Sequence, residues 1–210
     1  SRPKTIPAAI VPVIVGTASV ENGLTLHRFV LALVVSIALQ VGVNYANDYS
    51  DGIRGTDQNR IGPRRLVGSG LINANQVKLA AGISFLLAAI AGLVLAIMTS
   101  LWLILIGCIA ILAAWFYTGG SRPYGYSGYG EVSVFIFFGL VATVGSSYVQ
   151  SQTIETISML CSVPVGLLAS ALLVVNNFRD IETDSETGKQ TFAVRLGKAK
   201  TKMFLSLIHI

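Results

Sequence analysis

Charged side chains are scarce in this chain of 210 residues. They make up 12% of the sequence, against about 25% in an ordinary soluble domain, while hydrophobic residues make up 53%. The mean hydropathy is correspondingly high, at +0.69. This composition excludes an ordinary soluble globular protein and indicates an integral membrane protein.

Cysteine and histidine are also rare, with two residues of each. Cys108 and Cys161 lie within apolar stretches and have no CxxC spacing, and His27 and His209 are isolated. A zinc centre or a redox pair would need several such side chains at short spacings. We therefore interpret the cysteines as small core residues and expect no thiol or imidazole metal site.

The basic residues do not form a nucleic-acid-binding patch, although the formal net charge is +5. They are interleaved with acidic residues in the loops between apolar stretches, rather than grouped with aromatic side chains that could stack on bases. We expect no nucleic-acid partner. Excess positive charge is instead typical of the cytoplasmic loops of membrane proteins.

Six apolar runs approach the ~20 residues that a helix needs to cross the bilayer core. They cover residues 6–20, 24–47, 77–99, 101–118, 131–150 and 157–178. The predicted fold is an all-α, polytopic transmembrane helical bundle that forms one domain over residues 1–210. Of the 15 Lys and Arg residues, only Arg28 falls near the short connections on one side, so the long loops are predicted to face the cytoplasm.

The two ends of the sequence indicate a fragment. There is no initiator methionine, and an apolar run that begins near Met203 stops at Ile210, far short of a span. We expect the chain to be truncated at its C-terminus. Residues 205–210 also resemble the translated read-through of a sequencing adapter, so we expect this segment to be non-native.

Polar residues interrupt the apolar chain in two Asn/Asp motifs, each at the end of an apolar run. The first motif contains Asn44, Asn47, Asp48 and Asp51. The second contains Asn176, Asp180 and Asp184, and Arg179 directly precedes Asp180. At helical spacing, the members of each motif share one face. Ionised side chains in a membrane are costly and normally face a functional interior. An even number of spans separates the motifs, so both are predicted to open on the same side.

Carboxylates and cationic side chains occur together in the loops next to these motifs. Asp57 and Arg65 follow the first motif, Arg122 lies in the loop between the motifs, and Lys189 follows the second. Carboxylate oxygens suit Mg²⁺, and guanidinium groups suit phosphate oxygens. Together they predict a site for a Mg²⁺-bound diphosphate. The competing interpretation is that Asn and Asp only cap helix ends and solvate loops.

A loop rich in glycine and tyrosine, at 117–131, lies between the two motifs. Its tyrosines include Tyr124, Tyr126 and Tyr129. They are either interfacial residues, which is the commoner use at a membrane boundary, or residues that stabilise a positive charge with their ring faces. Both interpretations stay open at this point.

The two motifs and the block at 119–139 resemble the UbiA superfamily of intramembrane aromatic prenyltransferases. The resemblance runs from Arg2 to about Lys202 and is greatest to the branch that prenylates 1,4-dihydroxy-2-naphthoate in menaquinone biosynthesis. It implies nine transmembrane helices, of which this chain contains about six or seven. It also implies a bacterial inner membrane protein whose active site faces the cytoplasm.

The register of the first motif is ambiguous against the family pattern Asn-x-x-x-Asp-x-x-x-Asp. Registers that begin at Asn44 and at Asn47 both satisfy its first half, glycine occupies the last position in either case, and Asp57 lies further on. The second motif fits without a gap.

The resemblance implies transfer of a polyprenyl group from an allylic polyprenyl diphosphate to 1,4-dihydroxy-2-naphthoate with decarboxylation, giving demethylmenaquinone and diphosphate. The implied catalytic residues are Asp48, Asp51, Asp180 and Asp184, which together with Asp57 are the implied Mg²⁺ ligands. The implied substrate-binding residues are Asn44, Asn47, Arg65, Arg122, Tyr124, Asn176 and Lys189. The alternatives are another aromatic acceptor, such as 4-hydroxybenzoate or homogentisate, or a divalent-cation transporter.

Overall fold

The computed structural model describes residues 5–21, 24–56 and 65–208, and within these ranges the regular structure is entirely helical. The helices are α1 (Ile6–Ala18), α2 (Leu26–Arg54), α3 (Ala74–Met98), α4 (Trp102–Phe116), α5 (Gly130–Ser151), α6 (Thr156–Arg179), α7 (Ile181–Glu186) and α8 (Phe192–Ile208). A 3₁₀ turn, Tyr124–Ser127, lies between α4 and α5. The prediction of an all-α fold is confirmed.

Four of the helices, α2, α3, α5 and α6, are long and apolar enough to cross a membrane. Helices α1 and α4 are apolar but have only 13 and 15 residues. At 1.5 Å per residue they reach about 20 Å, less than the ~30 Å of the hydrocarbon core. All six coincide with the predicted apolar runs, so the predicted positions are confirmed for six helices and the spanning length for four.

Large apolar side chains cover the outside of the bundle. Helix α4 contains no buried residue, and Trp102 at its start is 74% exposed. Leu86 and Ile97 on α3 are 60% and 70% exposed. Such surfaces would be unfavourable in water, whereas lipid tails are as apolar as these side chains. The chain is therefore an integral membrane protein by composition and by the surface that it presents.

Glycines allow the long helices to pack closely. A Cβ atom at Gly42 of α2 would lie 2.6 Å from the Phe85 ring of α3, and one at Gly139 of α5 would lie 2.7 Å from the Gly166 Cα of α6. The neighbour of Gly139 is backbone, so that contact requires glycine, whereas at Gly42 a side chain would force the Phe85 ring to move. Small residues at membrane helix interfaces permit this backbone approach. The close packing of α2 against α3 and of α5 against α6 fixes the positions of α2 and α6. The polar ends of these two helices carry the Asn/Asp motifs.

The second motif lies at an interruption between helices rather than on one continuous helix. Helix α6 ends at Arg179, and Asp180, with φ −95° and ψ 8°, separates it from α7. The helical course of the motif is therefore interrupted at one residue. Backbone bonds from Asp180 N to Asn176 O (3.2 Å) and from Asp184 N to Asp180 O (2.8 Å) preserve the i to i+4 spacing across the interruption.

Candidate active site

The first motif occupies the last turns of α2, and its four side chains are buried. Asn44 Nδ2 donates to Thr5 Oγ1 at 2.9 Å, which ties α2 to the start of α1. Asn47 Oδ1 accepts a hydrogen bond from Thr118 Oγ1 at 2.8 Å. The two asparagines therefore connect α2 to two other parts of the chain, and an apolar side chain at either position would lose that contact.

Asp48 holds the backbone of the segment that follows the first motif. Its Oδ2 accepts from Leu66 N at 3.0 Å, and its Oδ1 accepts from Val67 N at 3.2 Å. The carboxylate thereby satisfies two backbone N–H groups that would otherwise need another partner. In this geometry Asp48 orders the turn at 65–70.

Asp51 is the most enclosed carboxylate of the motif, with 2% of its surface exposed. Arg65 Nη2 lies 3.2 Å from its Oδ2, and Lys189 Nζ lies 3.3 Å from its Oδ1. The Tyr126 hydroxyl also donates to Oδ1. These three partners come from three loops that are distant in sequence, so two cations and one hydroxyl converge on a single buried carboxylate.

Tyr126 lies at the centre of this convergence. Lys189 Nζ lies 4.7 Å from its ring centroid, and Arg54 Cζ lies 5.4 Å from it, both within range of a cation–π interaction. Burial, together with the charge of Asp51, raises the pKa of Tyr126 above its ordinary value. The hydroxyl therefore stays protonated at neutral pH and acts as a hydrogen-bond donor.

The loop that carries Lys189 is fastened to the same place by its backbone. Gln190 N donates to Tyr126 O at 2.8 Å, and Lys189 N donates to Asp184 O at 2.8 Å. Arg54, at the end of α2, donates to the carbonyls of Thr118 and Gly120. The loops after α2, after α4 and after α7 thus meet around Asp51.

Two of the sequence-predicted residues lie away from Asp51. The Tyr124 hydroxyl donates to Ala113 O at 2.8 Å and lies 3.0 Å from Ser133 Oγ, so it braces the loop against α4 and α5. Arg122 is exposed on the turn before Tyr124. Among the three tyrosines considered from the sequence, the structure brings Tyr126 to the first motif, and Tyr129 is 62% exposed.

In the second motif, Asp180 is 5% exposed, whereas Asn176 and Asp184 are half-buried. Arg179 binds Asp180 through two nitrogens, with Nε–Oδ1 at 2.8 Å and Nη2–Oδ2 at 3.0 Å. A forked pair of this kind is a strong, charge-assisted contact. Each of the three buried aspartates, at 48, 51 and 180, thus has protein donors matched to its charge.

Sequence reasoning missed a second polar contact beside the motif. Asn177 Nδ2 donates to Glu131 Oε1 at 2.9 Å, and Ser170 Oγ donates to Glu131 O at 3.0 Å. Glu131 is 8% exposed and joins the first turn of α5 to α6. The adjacent Asn176 and Asn177 therefore serve different faces of α6. The only available signal was the doubled asparagine next to an apolar run.

The donor set suits Mg²⁺ by its chemistry. It offers carboxylate and amide oxygens, which a hard cation prefers, and Mg²⁺ commonly takes one or two protein carboxylates and completes its shell with substrate phosphates and water. Within the described ranges, no three His, Cys, Asp or Glu side chains are grouped to hold a metal by themselves. This is compatible with a site that shares its metal with a diphosphate. Asp57 lies outside the described residues.

A family model for UbiA prenyltransferases matches residues 9–210. The chain belongs to the UbiA prenyltransferase family. The UbiA resemblance drawn from the two motifs is thereby confirmed, and it extends over almost the whole chain.

Curated UbiA relatives align over nearly the full chain. A 1,4-dihydroxy-2-naphthoate octaprenyltransferase of Mycobacterium tuberculosis is 51% identical, with 97% of this chain and 70% of the relative aligned. The protein of the same name from Escherichia coli is 40% identical, with 97% and 69% aligned. The chain is therefore similar to the naphthoate-prenylating members in particular.

Solved structures confirm the UbiA fold. An apo UbiA homologue from Aeropyrum pernix K1 superimposes with a TM-score of 0.75 at 16% identity, covering 100% of this chain and 76% of the other. A digeranylgeranylglyceryl phosphate synthase structure gives a TM-score of 0.64 at 21% identity, covering 98% and 69%. At these identities the likeness concerns the fold alone.

Proposed function

We propose that this chain transfers a polyprenyl group from an allylic polyprenyl diphosphate to 1,4-dihydroxy-2-naphthoate. The C–O bond to the diphosphate breaks, a bond forms between the prenyl C1 and the ring carbon, and the ring carboxylate leaves as CO₂. Diphosphate is the other product, and the prenylated ring leaves at the hydroquinone level, as the reduced form of demethylmenaquinone, so the transfer itself needs no oxidant. The naphthoate relatives at 51% and 40% identity support this acceptor over 4-hydroxybenzoate or homogentisate.

The convergence of Arg65 and Lys189 on Asp51 carries the proposal. Both cations lie within 3.3 Å of the same buried carboxylate. A diphosphate that enters this volume meets cations already held in place, so little reorganisation is needed when negative charge develops on the leaving oxygen. At the same point the Tyr126 hydroxyl donates a hydrogen bond to Asp51, and its ring lies within cation–π range of Lys189.

Asp48, Asp51, Asp180 and Asp184 would hold Mg²⁺, which when bound supplies positive charge to the diphosphate. Lys189 and Arg65 would then exchange contacts with Asp51 for contacts with phosphate oxygens. Asn44, Asn47 and Asn176 would complete the polar wall, and Arg122 and Tyr124 remain candidates at its outer edge. The apolar helices would surround the prenyl tail and keep water from the allylic cation.

The distribution of Lys and Arg supports an orientation with both motifs on the cytoplasmic side. The bacterial relatives support placement in a bacterial inner membrane. Protease accessibility of the 180–191 loop in right-side-out and inverted vesicles tests the orientation, and cleavage in right-side-out vesicles would contradict it.

The test of function is prenyl transfer by membranes that contain the chain. Radiolabelled octaprenyl diphosphate is offered with each of three acceptors, namely 1,4-dihydroxy-2-naphthoate, 4-hydroxybenzoate and homogentisate. We expect product with the naphthoate, loss of product in EDTA and recovery with Mg²⁺. Binding of a prenyl thiodiphosphate, measured in parallel, separates failure of chemistry from failure of donor binding. Divalent-cation flux without prenyl transfer would contradict the proposal and favour a transporter.

A further inference from the structure

Both carboxylate oxygens of Asp51 are engaged by other side chains of the protein. Oδ1 lies 3.3 Å from Lys189 Nζ and also accepts the Tyr126 hydroxyl. Oδ2 lies 3.2 Å from Arg65 Nη2. Mg²⁺ binds an oxygen ligand at about 2.1 Å, so a metal ion on Oδ1 would lie close to the ammonium group. Like charges repel strongly at such a separation in a buried place, so Lys189 and a divalent cation compete for the same oxygen atom.

The Lys189 ammonium group depends on Asp51 for its counter-ion. The side chain is 10% exposed, and Asp51 is its one ion-pair partner within the described part of the chain. The backbone of this loop is held in place, because Gln190 N donates to Tyr126 O at 2.8 Å. A buried cation that loses its counter-ion is costly. Displacement of Lys189 from Asp51 by a metal ion alone is therefore unfavourable.

The other two buried aspartates have partners of a different kind. Asp48 accepts from the backbone nitrogens of Leu66 and Val67, which carry no net charge. Asp180 is paired with Arg179, whose side chain is 39% exposed. A cation that reaches solvent leaves its partner at small cost. Release of Asp51, by contrast, requires a buried ammonium group to move.

A diphosphate supplies the counter-ion that Lys189 needs when it leaves Asp51. Its oxygens accept charge-assisted hydrogen bonds from an ammonium group, and the carboxylate then becomes available to a metal ion. We propose that Lys189 makes binding of a divalent cation at Asp51 depend on the diphosphate, so that the two ligands bind together. The inference rests on the proposed function, since it takes the diphosphate of the prenyl donor as the anion. By thermodynamic linkage, each ligand must raise the affinity for the other by the same factor.

The first test measures binding of Mn²⁺, as a paramagnetic substitute for Mg²⁺, to the protein in phosphatidylcholine nanodiscs. The electron paramagnetic resonance signal of free Mn²⁺ falls as the ion is bound. We expect Lys189→Gln to bind Mn²⁺ alone about tenfold or more tightly than the unmodified protein, because the competing charge is gone. Lys189→Arg keeps a cation and should keep the affinity low. In Asp51→Asn/Lys189→Gln the gain should disappear, which would locate the gained ion at Asp51.

Lys198→Gln is the matched control for this test. It also removes a cation from a carboxylate, since Lys198 Nζ lies 2.6 Å from Glu182 Oε1, but that pair is exposed and contains none of the proposed metal ligands. We expect no gain in Mn²⁺ affinity. Equal affinities of the unmodified protein and Lys189→Gln for Mn²⁺ alone would overturn the proposal, and so would equal gains in Lys189→Gln and Lys198→Gln.

A second test measures the coupling directly by equilibrium dialysis of the nanodiscs against inorganic diphosphate. We expect the unmodified protein to retain diphosphate at least about fivefold more tightly with Mn²⁺ than in EDTA. Equal retention in the two conditions would contradict the coupling. Neither test involves prenyl transfer. The coupling can therefore fail in a protein that transfers prenyl groups, and it can hold in a protein whose acceptor is not the naphthoate.

Discussion

Lys189→Gln removes one of two cations from a carboxylate that has almost no access to solvent. Asp51 is 2% exposed, and the Lys189 side chain, 3.3 Å away, is 10% exposed. Removing one partner of a buried pair costs about 3–5 kcal/mol, because the remaining charge stays buried. Arg65 and Tyr126 still bind Asp51 in this variant, so we expect the lower end, about 3 kcal/mol.

Lys198→Gln is the matched control. Its ion pair with Glu182 is shorter, at 2.6 Å, but the two side chains are 60% and 68% exposed. Solvent screening makes the contribution of such exposed pairs small. If distance alone determined the contribution, Lys198 would matter more than Lys189. The burial of the two pairs predicts instead that Lys189 contributes more to stability than Lys198.

The measurement is the fraction of detergent-solubilised protein that stays monodisperse after heating, followed by size-exclusion chromatography. For a chain of this size about 1 kcal/mol corresponds to roughly 2–4 °C in Tm. Lys189→Gln should therefore lower Tm by roughly 6–12 °C. Lys198→Gln should lower it by clearly less. Equal shifts, or a larger shift for Lys198→Gln, would refute the argument from burial.

A double variant tests whether Lys189 acts through its charge or through packing. In Asp51→Asn/Lys189→Gln neither position 51 nor position 189 is charged, so the interaction energy between the two positions is obtained by comparison with the two single variants. We expect the double variant to lose less stability than the sum of the losses of the two single variants. Additive destabilisation by the two substitutions would mean that the lysine acts through packing.

Further predictions concern catalysis and helix packing. Asp180→Ala should lower Mg²⁺-dependent prenyl transfer by about a hundredfold or more in the radiolabel assay, because one contact that stabilises charge in the transition state is lost; an unchanged rate would contradict its role. Tyr126→Phe removes the hydroxyl that donates to Asp51 and should lower kcat/KM for the donor by about tenfold or more. Tyr124→Phe should have a clearly smaller effect, and equal effects would argue against a special position for Tyr126. Gly139→Ala places a Cβ atom 2.7 Å from Gly166 Cα and should destabilise the protein by about 1–3 kcal/mol. Gly145→Ala, whose Cβ meets nothing within 4 Å, should be neutral or slightly stabilising in the same heating assay.

The helical architecture was predictable because a bilayer leaves the backbone few options. A segment in lipid must satisfy its own hydrogen bonds, so long apolar runs become helices. The runs at 24–47 and 157–178 accordingly correspond to Leu26–Arg54 and Thr156–Arg179. The positions at which the helices end were less predictable. Helix α2 continues through the polar first motif to Arg54, because its polar side chains find partners within the protein.

The partners of the site residues were not predictable from spacing. Tyr124 and Tyr126 are two positions apart in a loop of similar composition, yet only the Tyr126 hydroxyl reaches Asp51. The choice depends on the 3₁₀ turn that directs the two rings to different places. Asn177 likewise turned out to bind Glu131, which lies 46 residues earlier in the sequence.

The sequence alone determined that this protein is a membrane-embedded helical bundle with a polar, oxygen-rich site, because hydrophobic run length and the cost of charge in lipid act locally. It also identified the residue types that suit a diphosphate and Mg²⁺. Only the tertiary structure decided that Asp51 is the point where Arg65, Tyr126 and Lys189 meet. Those contacts join loops that are far apart in the chain, and their meeting depends on how closely glycine-lined helices pack and where each loop returns.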